Sequence, residues 1–159
     1  MIEKAEVKDI PQLVEMRLAY LDEDTGPDEG QKQVIRESLP DYFERNLNRT
    51  IFCYVCREQG TIVSCAFLLL VEKPMSPSFM NGKTGTVLNV YTKPEYRKRG
   101  YAGRIMDRLV EEAGNMGLCR IDLLATEAGA PLYRAKGFKE DTGHYVPMKY
   151  IVNGGLHGV

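Results

Sequence analysis

Thr86-Val87-Leu88-Asn89-Val90-Tyr91-Thr92, then Lys93-Pro94-Glu95-Tyr96, then Arg97-Lys98-Arg99-Gly100-Tyr101-Ala102-Gly103-Arg104, running on to Met116, is the stretch whose reading decides the fold. Its β-branched and aromatic opening predicts a strand, which Lys93-Pro94 ends. Beyond Gly100 the pattern changes to a helix. Tyr101, Ala102, Ile105, Met106, Leu109, Val110 and Ala113 share one stripe at the 3.6-residue period, with Arg104, Asp107, Arg108, Glu111, Glu112 and Asn115 opposite. The start of that helix breaks the usual rules. About four backbone N–H groups there have no intrahelical partner, and Ser, Thr, Asp or Asn customarily satisfies one. Arg99 and Gly100 offer no acceptor, and Arg97, Lys98, Arg99 and Arg104 crowd the positive end of the helix dipole. A bound anion resolves both conflicts, and Gly100 lets it approach the backbone closely. The plainer alternative is an ordinary turn with a solvated basic rim.

Working outward, Ile2 to Val7 predicts a first strand. Asp9-Ile10-Pro11-Gln12 reads as a helix start, with Asp9 the cap and Gln12 closing a capping box. Asp22 to Gly30 reads as an acidic, turn-rich loop. A second helix is expected from Gln31 to Leu47, with Pro40 interrupting it or starting a new piece. Ile51 to Arg57 and Ile62 to Glu72 are strands joined by a tight turn at Gln59-Gly60. The second is almost wholly apolar, so both its faces should be covered. Lys73 to Gly85 is a mobile loop. Arg120 to Thr126 returns as a strand, which makes a parallel pair with a right-handed crossover. A short helix over Gly129–Lys136 and hairpin-like strands around Phe138–Asp141 and His144–Val152 complete the order. One domain spans residues 1–152, with 153–159 a flexible tail.

The 159 residues carry a formal net charge of −1, which implies no general affinity for nucleic acid or an anionic membrane. The basic turn is a local feature and favours a small polyanion. Cys53 and Cys56 are three apart in a strand and point to opposite faces, and no second pair follows, so no metal site is expected. Reduced thiols, no leader at Met1-Ile2-Glu3-Lys4 and no long apolar run predict a cytoplasmic protein. No G-x-x-x-x-G-K-[ST] run exists, which excludes a P-loop.

Arg97-Lys98-Arg99-Gly100-Tyr101-Ala102 resembles the R/Q-x-x-G-x-G/A signature of the GNAT acyltransferase superfamily. Leu132-Tyr133-Arg134-Ala135-Lys136-Gly137-Phe138 resembles its second hallmark, L-Y-x-x-x-G-F, after the next strand. The resemblance implies an α/β fold: a mixed, mostly antiparallel sheet with one central parallel strand pair, flanked by helices on both faces. It implies acetyl-CoA as co-substrate, without a metal. The pyrophosphate would rest on the amides of Arg99, Gly100, Tyr101 and Ala102, with Arg97 and Lys98 lining the approach. The pantetheine arm would add to the central strand at Val90, Tyr91 and Thr92. Many members carry Asn where this chain has Thr126, which would hydrogen-bond the arm instead.

The activity implied is an N-acetyltransferase acting directly on a primary amine of a small molecule or peptide. A non-catalytic acyl-CoA-binding sensor of the same fold is the alternative. Tyr133 is the implied general acid for the leaving thiolate, since a phenol of pKa about 10 is protonated at neutral pH. A main-chain N–H near Val90 or Tyr91 would meet the developing oxyanion. The base stays open: Glu72 at a strand end, Asn89 positioning a water or substrate, Glu127, or an amine deprotonated in bulk solvent. The acidic Asp22–Glu29 stretch either rims the acceptor pocket or is a solvated turn. The N-terminal helices and the Lys73–Gly85 loop would shape that pocket. A homodimer is also left open.

Overall fold

Cys53 and Val55 face one core, and Tyr54 and Cys56 face another. That alternation along one strand fixes a layered architecture, with the sheet between two sets of helices. The computed structural model describes residues 1–153. Five strands lie in the order β1-β2-β3-β4-β5: β1 Ile2–Lys4, β2 Ile51–Glu58, β3 Thr61–Glu72, β4 Lys83–Thr92 and β5 Arg120–Asp122. All pairs are antiparallel except β4 with β5. The helices are α1 Ile10–Asp24, α2 Glu29–Asn46, α3 Tyr101–Asn115 and α4 Ala130–Ala135.

On one face, Leu13, Met16 and Leu18 of α1 and Phe43 of α2 pack on Cys53, Val55, Cys65 and Phe67. On the other, Ile105, Met106 and Leu109 of α3 cover Tyr54, Val63, Ala66 and Leu68. Covering both faces explains why β3 is a nearly continuous apolar run. The β2–β3 hairpin turns through Gln59 (φ 52°) and Gly60 (φ 80°), the left-handed pair that a two-residue hairpin needs.

Several local expectations give way to tertiary partners. Asp9 does not cap α1. It sits in a short 3-10 turn at 3% exposure, accepts the Glu6 N–H at 2.9 Å and pairs with Arg57 at 2.7 Å. Burial pushes its carboxyl pKa up, but the hydrogen bonds from Arg57 and Glu6 outweigh burial and hold it below its usual value. Gln12 reaches across to accept the Ile62 N–H at 2.7 Å rather than closing a capping box. The acidic stretch is helical as far as Asp24. Asp28 instead caps α2, accepting the Gln31 N–H at 2.8 Å. α2 runs unbroken through Pro40, on an exposed face where solvent can take the Arg36 carbonyl that the proline leaves without a donor.

The parallel pair stands at the sheet's edge among the described residues, because the two strands expected after Phe138 do not form. A strand pattern is realised only beside a partner edge, and β5 offers three residues. Tyr145, Val146, Met148 and Tyr150 are exposed. β5 also ends at Asp122 rather than Thr126. All but the first residue of the expected tail lie outside the described residues. Among the described residues no helix is long and apolar enough to cross a membrane.

Candidate active site

The site begins with a fault in the sheet. Leu88 and Tyr91 of β4 pair with Phe67 and Cys65 of β3, so β4 carries one residue more than its partner across this interval. Asn89 takes up the excess at φ 55°. On its other side β4 pairs with β5 only from Thr84 to Thr86. Beyond that the two strands part, and a cleft of about 1090 Å³ opens between them. Thr86–Thr92 form one wall, and Asp122–Thr126 with Tyr133 form the other. Residues at the start of α3 and at the end of α1 also line it. Those helices cover opposite faces of the sheet, so the cleft connects the two faces.

On the α3 side lies the basic turn. Gly100 is the residue before the helix, at φ 83°, and no side chain caps it. Among the described residues no protein acceptor meets the N–H groups of Tyr101, Ala102 or Gly103. The first main-chain bond of the helix is Arg104 N–H to the Gly100 carbonyl at 3.2 Å. Lys98, itself at φ 64°, lines the cleft and has no ion-pair partner among the described residues. The Tyr101 phenol donates to the Glu58 carboxylate and anchors the helix start to the end of β2. That hydrogen bond, with burial next, raises the phenol pKa.

The other basic side chains of the turn are engaged. The Arg97 guanidinium donates to both Glu23 oxygens, at 2.8 and 2.9 Å, and to the Thr92 carbonyl at 2.9 Å. It also lies over the Tyr91 ring, whose phenol donates to Glu23 at 3.1 Å. Arg99 stacks over Tyr96 and does not line the cleft. Arg104 lies over the Tyr101 ring.

Tyr133 projects from α4 into the cleft, half-buried and edge-on to Phe138. Gly129 lies close behind it: a Cβ there would stand 3.2 Å from the ring. Burial, and secondarily the nearby Tyr20 phenol, raise the Tyr133 pKa, so its proton is held firmly at neutral pH. α4 is tied to α3 by Lys136 and Asp107 at 2.9 Å. Thr126 lines the cleft and accepts the Gly129 N–H at 3.1 Å, which leaves its own hydroxyl hydrogen free to donate.

Asn89 is 2% exposed, and its amide is taken up by the protein. Its Oδ1 accepts from Arg17 at 3.2 Å, and its Nδ2 faces the Met16 carbonyl and Cys65 Sγ. Glu72 is not brought to the cleft. Antiparallel pairing sets it opposite Lys83, at the far end of β4 from the bulge. The Lys73–Gly85 loop lines the cleft no more than Glu72 does. Lys73 and Gly82 close its base by a 2.7 Å bond, and the strand beyond it pairs away from the opening. Glu127 also lies outside the lining.

On the α1 side the lining is Arg17, Tyr20, Glu23 and Asp24. The sequence leaves the acidic stretch open between pocket rim and solvated turn, and of it Glu23 and Asp24 line the cleft; Arg17 and Tyr20 are not singled out by the sequence. Their signal was faint: Arg17 abuts the apolar stripe of Leu13, Val14, Leu18 and Leu21, where a charge needs a reason to be. Among the described residues no cluster of His, Cys, Asp and Glu could hold a metal ion.

Comparison with known proteins agrees with this geometry. A comparison with curated proteins found no match. Among solved structures, a predicted acetyltransferase of Clostridium acetobutylicum, solved with acetyl-CoA, is 29% identical with a TM-score of 0.82, over 94% of this chain and 95% of that one. An N-acetyltransferase of Ralstonia eutropha is 27% identical with a TM-score of 0.78, over 93% and 97%. Glucosamine-6-phosphate N-acetyltransferase of Arabidopsis thaliana, at 18% identity, a TM-score of 0.72 and coverage of 95% and 97%, shares the fold. The family model for acetyltransferases of the GNAT type matches residues 14–138, which take in the bulge, the basic turn and Tyr133. The chain belongs to the acetyltransferase (GNAT) family.

Proposed function

We propose that this acetyltransferase moves the acetyl group of acetyl-CoA directly to a primary amine of a small molecule or peptide. One observation carries the reading: a helix start with bare N–H groups and a left-handed glycine opens into a cleft made by two parting strands. The residues fit the co-substrate. The N–H groups of Tyr101, Ala102 and Gly103, with Lys98, suit a diphosphate. The freed edge of β4 at Val90–Thr92 suits an extended amide-bearing arm, and Thr126 faces it across the cleft.

Acetyl-CoA supplies an acetyl thioester. The chain's residues do the rest. A β4 main-chain N–H near the bulge stabilises negative charge on the carbonyl oxygen. Tyr133 gives its proton to the departing sulfur, and burial keeps that proton available. Asn89 serves by holding the bulge, since its amide is already bonded within the protein. Glu72 stands away from the cleft and is not the base; in this reading the amine gives its proton to water. Arg97 acts through the shape of the turn, and Arg99 contributes its backbone. A cytoplasmic setting goes with this reading, since Cys53, Cys56 and Cys65 are buried free thiols.

Calorimetric titration with acetyl-CoA tests the first half, and thiol release with a panel of amines tests the second. Micromolar binding and amine-dependent release are expected. A folded protein that gives no heat and no thermal shift with either CoA or acetyl-CoA sinks the reading.

A further inference from the structure

Arg17 is a half-buried guanidinium that makes, among the described residues, one hydrogen bond, to the Asn89 side-chain Oδ1 at 3.2 Å. Among the described residues no carboxylate pairs with it. The neighbouring acids have other fates: Asp22 pairs with Lys32 at 2.7 Å, and Glu23 pairs with Arg97. The Tyr20 and Tyr42 phenols flank the guanidinium closely enough to feel its charge. A half-buried cation with four free N–H donors is an unfinished anion site.

A second cavity, of about 230 Å³, lies under α1 and α2. Leu39, Tyr42, Phe43, Ile51 and Phe67 form most of its wall. Arg17 and Leu88 complete it, and these two residues also line the main cleft. The cavity is therefore an apolar room adjoining the α1 side of the cleft, with Arg17 and Leu88 at the shared wall. Its volume is that of nearly eight liquid waters at ~30 Å³ each, enough for one large aliphatic or aromatic side chain. Asp24 lines the same side of the cleft and has no cation partner among the described residues, so the entrance favours an ammonium. A polyamine or aminoglycoside would bring cations towards Arg17 and nothing apolar for the side room.

We propose that the acceptor is a hydrophobic α-amino acid, its carboxylate held by Arg17 and its side chain in the cavity behind, with the α-amine left facing the gap between β4 and β5. This rests on the transfer reading above and narrows its substrate class. The carboxylate fixes the pose, because an apolar room alone discriminates weakly between similar shapes.

The test compares ligands on the wild-type protein, so it does not depend on any variant folding. Phenylalanine and leucine, their amides, phenethylamine and spermidine are titrated by calorimetry against protein saturated with CoA. The same compounds are then assayed for thiol release from acetyl-CoA. The amino acids are expected to bind about tenfold or more tightly than the amides and phenethylamine, and to be the better acceptors. Arg17→Gln should erase that preference while acetyl-CoA affinity stays. Leu39→Trp should fill the room and turn the preference towards alanine. Equal affinity for acid and amide, or tighter binding of spermidine, overturns the proposal. Carboxylate-dependent binding without acetyl-CoA affinity would leave the Arg17 pocket standing and remove the transfer reading instead.

Discussion

The two sides of the cleft are built from different materials. On the α3 side the working groups are main-chain N–H groups, exposed because Gly100 turns left-handed and no side chain caps the helix. On the α1 side they are side chains, Arg17, Tyr20, Glu23 and Asp24, displayed along the last turns of a regular helix. A backbone site is fixed by local geometry and tolerates change in the surrounding side chains. A side-chain site is remade by a single substitution. In the proposed function the α3 side is the donor side and the α1 side the acceptor side, so one scaffold could keep its donor constant while its acceptor varies.

The sharpest way to break that contrast is at Gly100. Gly100→Glu sets a side chain on a residue at φ 83°, with its Cβ 3.2 Å from Arg104, and puts a carboxylate beside the N–H groups. Acetyl-CoA affinity should fall about a hundredfold or more by calorimetry, with the far-ultraviolet spectrum unchanged. A folded variant that binds within threefold of wild type would mean that the turn is not where the diphosphate rests.

Tyr133 stands where the two sides meet, and its effect should be next in size. Tyr133→Phe is expected to lower kcat by about ten- to a hundredfold while the KM for acetyl-CoA stays within twofold. The sign of the pH effect follows from burial. The phenol pKa is raised above its usual value of about 10, so the acid form persists across neutral pH and is lost only as pH climbs through that raised value. Wild-type kcat should therefore decline at the alkaline extreme, and the variant should lack that decline. An unchanged kcat removes Tyr133 from proton transfer.

Much of the donor side was legible in the chain because its signals are local. The missing cap before Tyr101, the glycine at position 100 and the break at Lys93-Pro94 lie within a dozen residues or so of one another, and each states a backbone requirement. The central strands were legible for a similar reason, since the apolar runs of β2 and β3 record burial on both faces of the sheet. The acceptor side was not. Arg17 meets Asn89 across 72 positions, and no spacing rule links them. Asn89 itself gave no sign of a bulge, which shows only when β3 and β4 are paired. Asp9 and Gln12 misled because their local capping pattern lost to Arg57 and Ile62, partners some fifty residues away. The β-branched and aromatic run at His144–Val152 states a strand preference, yet that preference needs an edge to be realised.

The smallest expected effect probes whether the two sides are separable at all. Glu23 belongs to α1 and Arg97 to the basic turn, and their bonds at 2.8 and 2.9 Å join the acceptor side to the donor side. Both side chains are roughly half exposed, so the pair contributes at most about 1 kcal/mol and is screened by salt. Arg97 also holds the Thr92 carbonyl through Nε, a bond that does not involve Glu23. Glu23→Gln keeps that second bond and Arg97→Ala loses both. The KM for acetyl-CoA should rise less than about threefold in the first variant and distinctly more in the second. The wild-type KM should shift towards that of Glu23→Gln as salt is raised. If the turn is shaped by its own strand, this ordering holds and the donor side is autonomous. If Glu23→Gln is as damaging as Arg97→Ala, the acceptor helix sets the geometry of the anion turn, and a change in acceptor specificity would carry a cost in cofactor affinity.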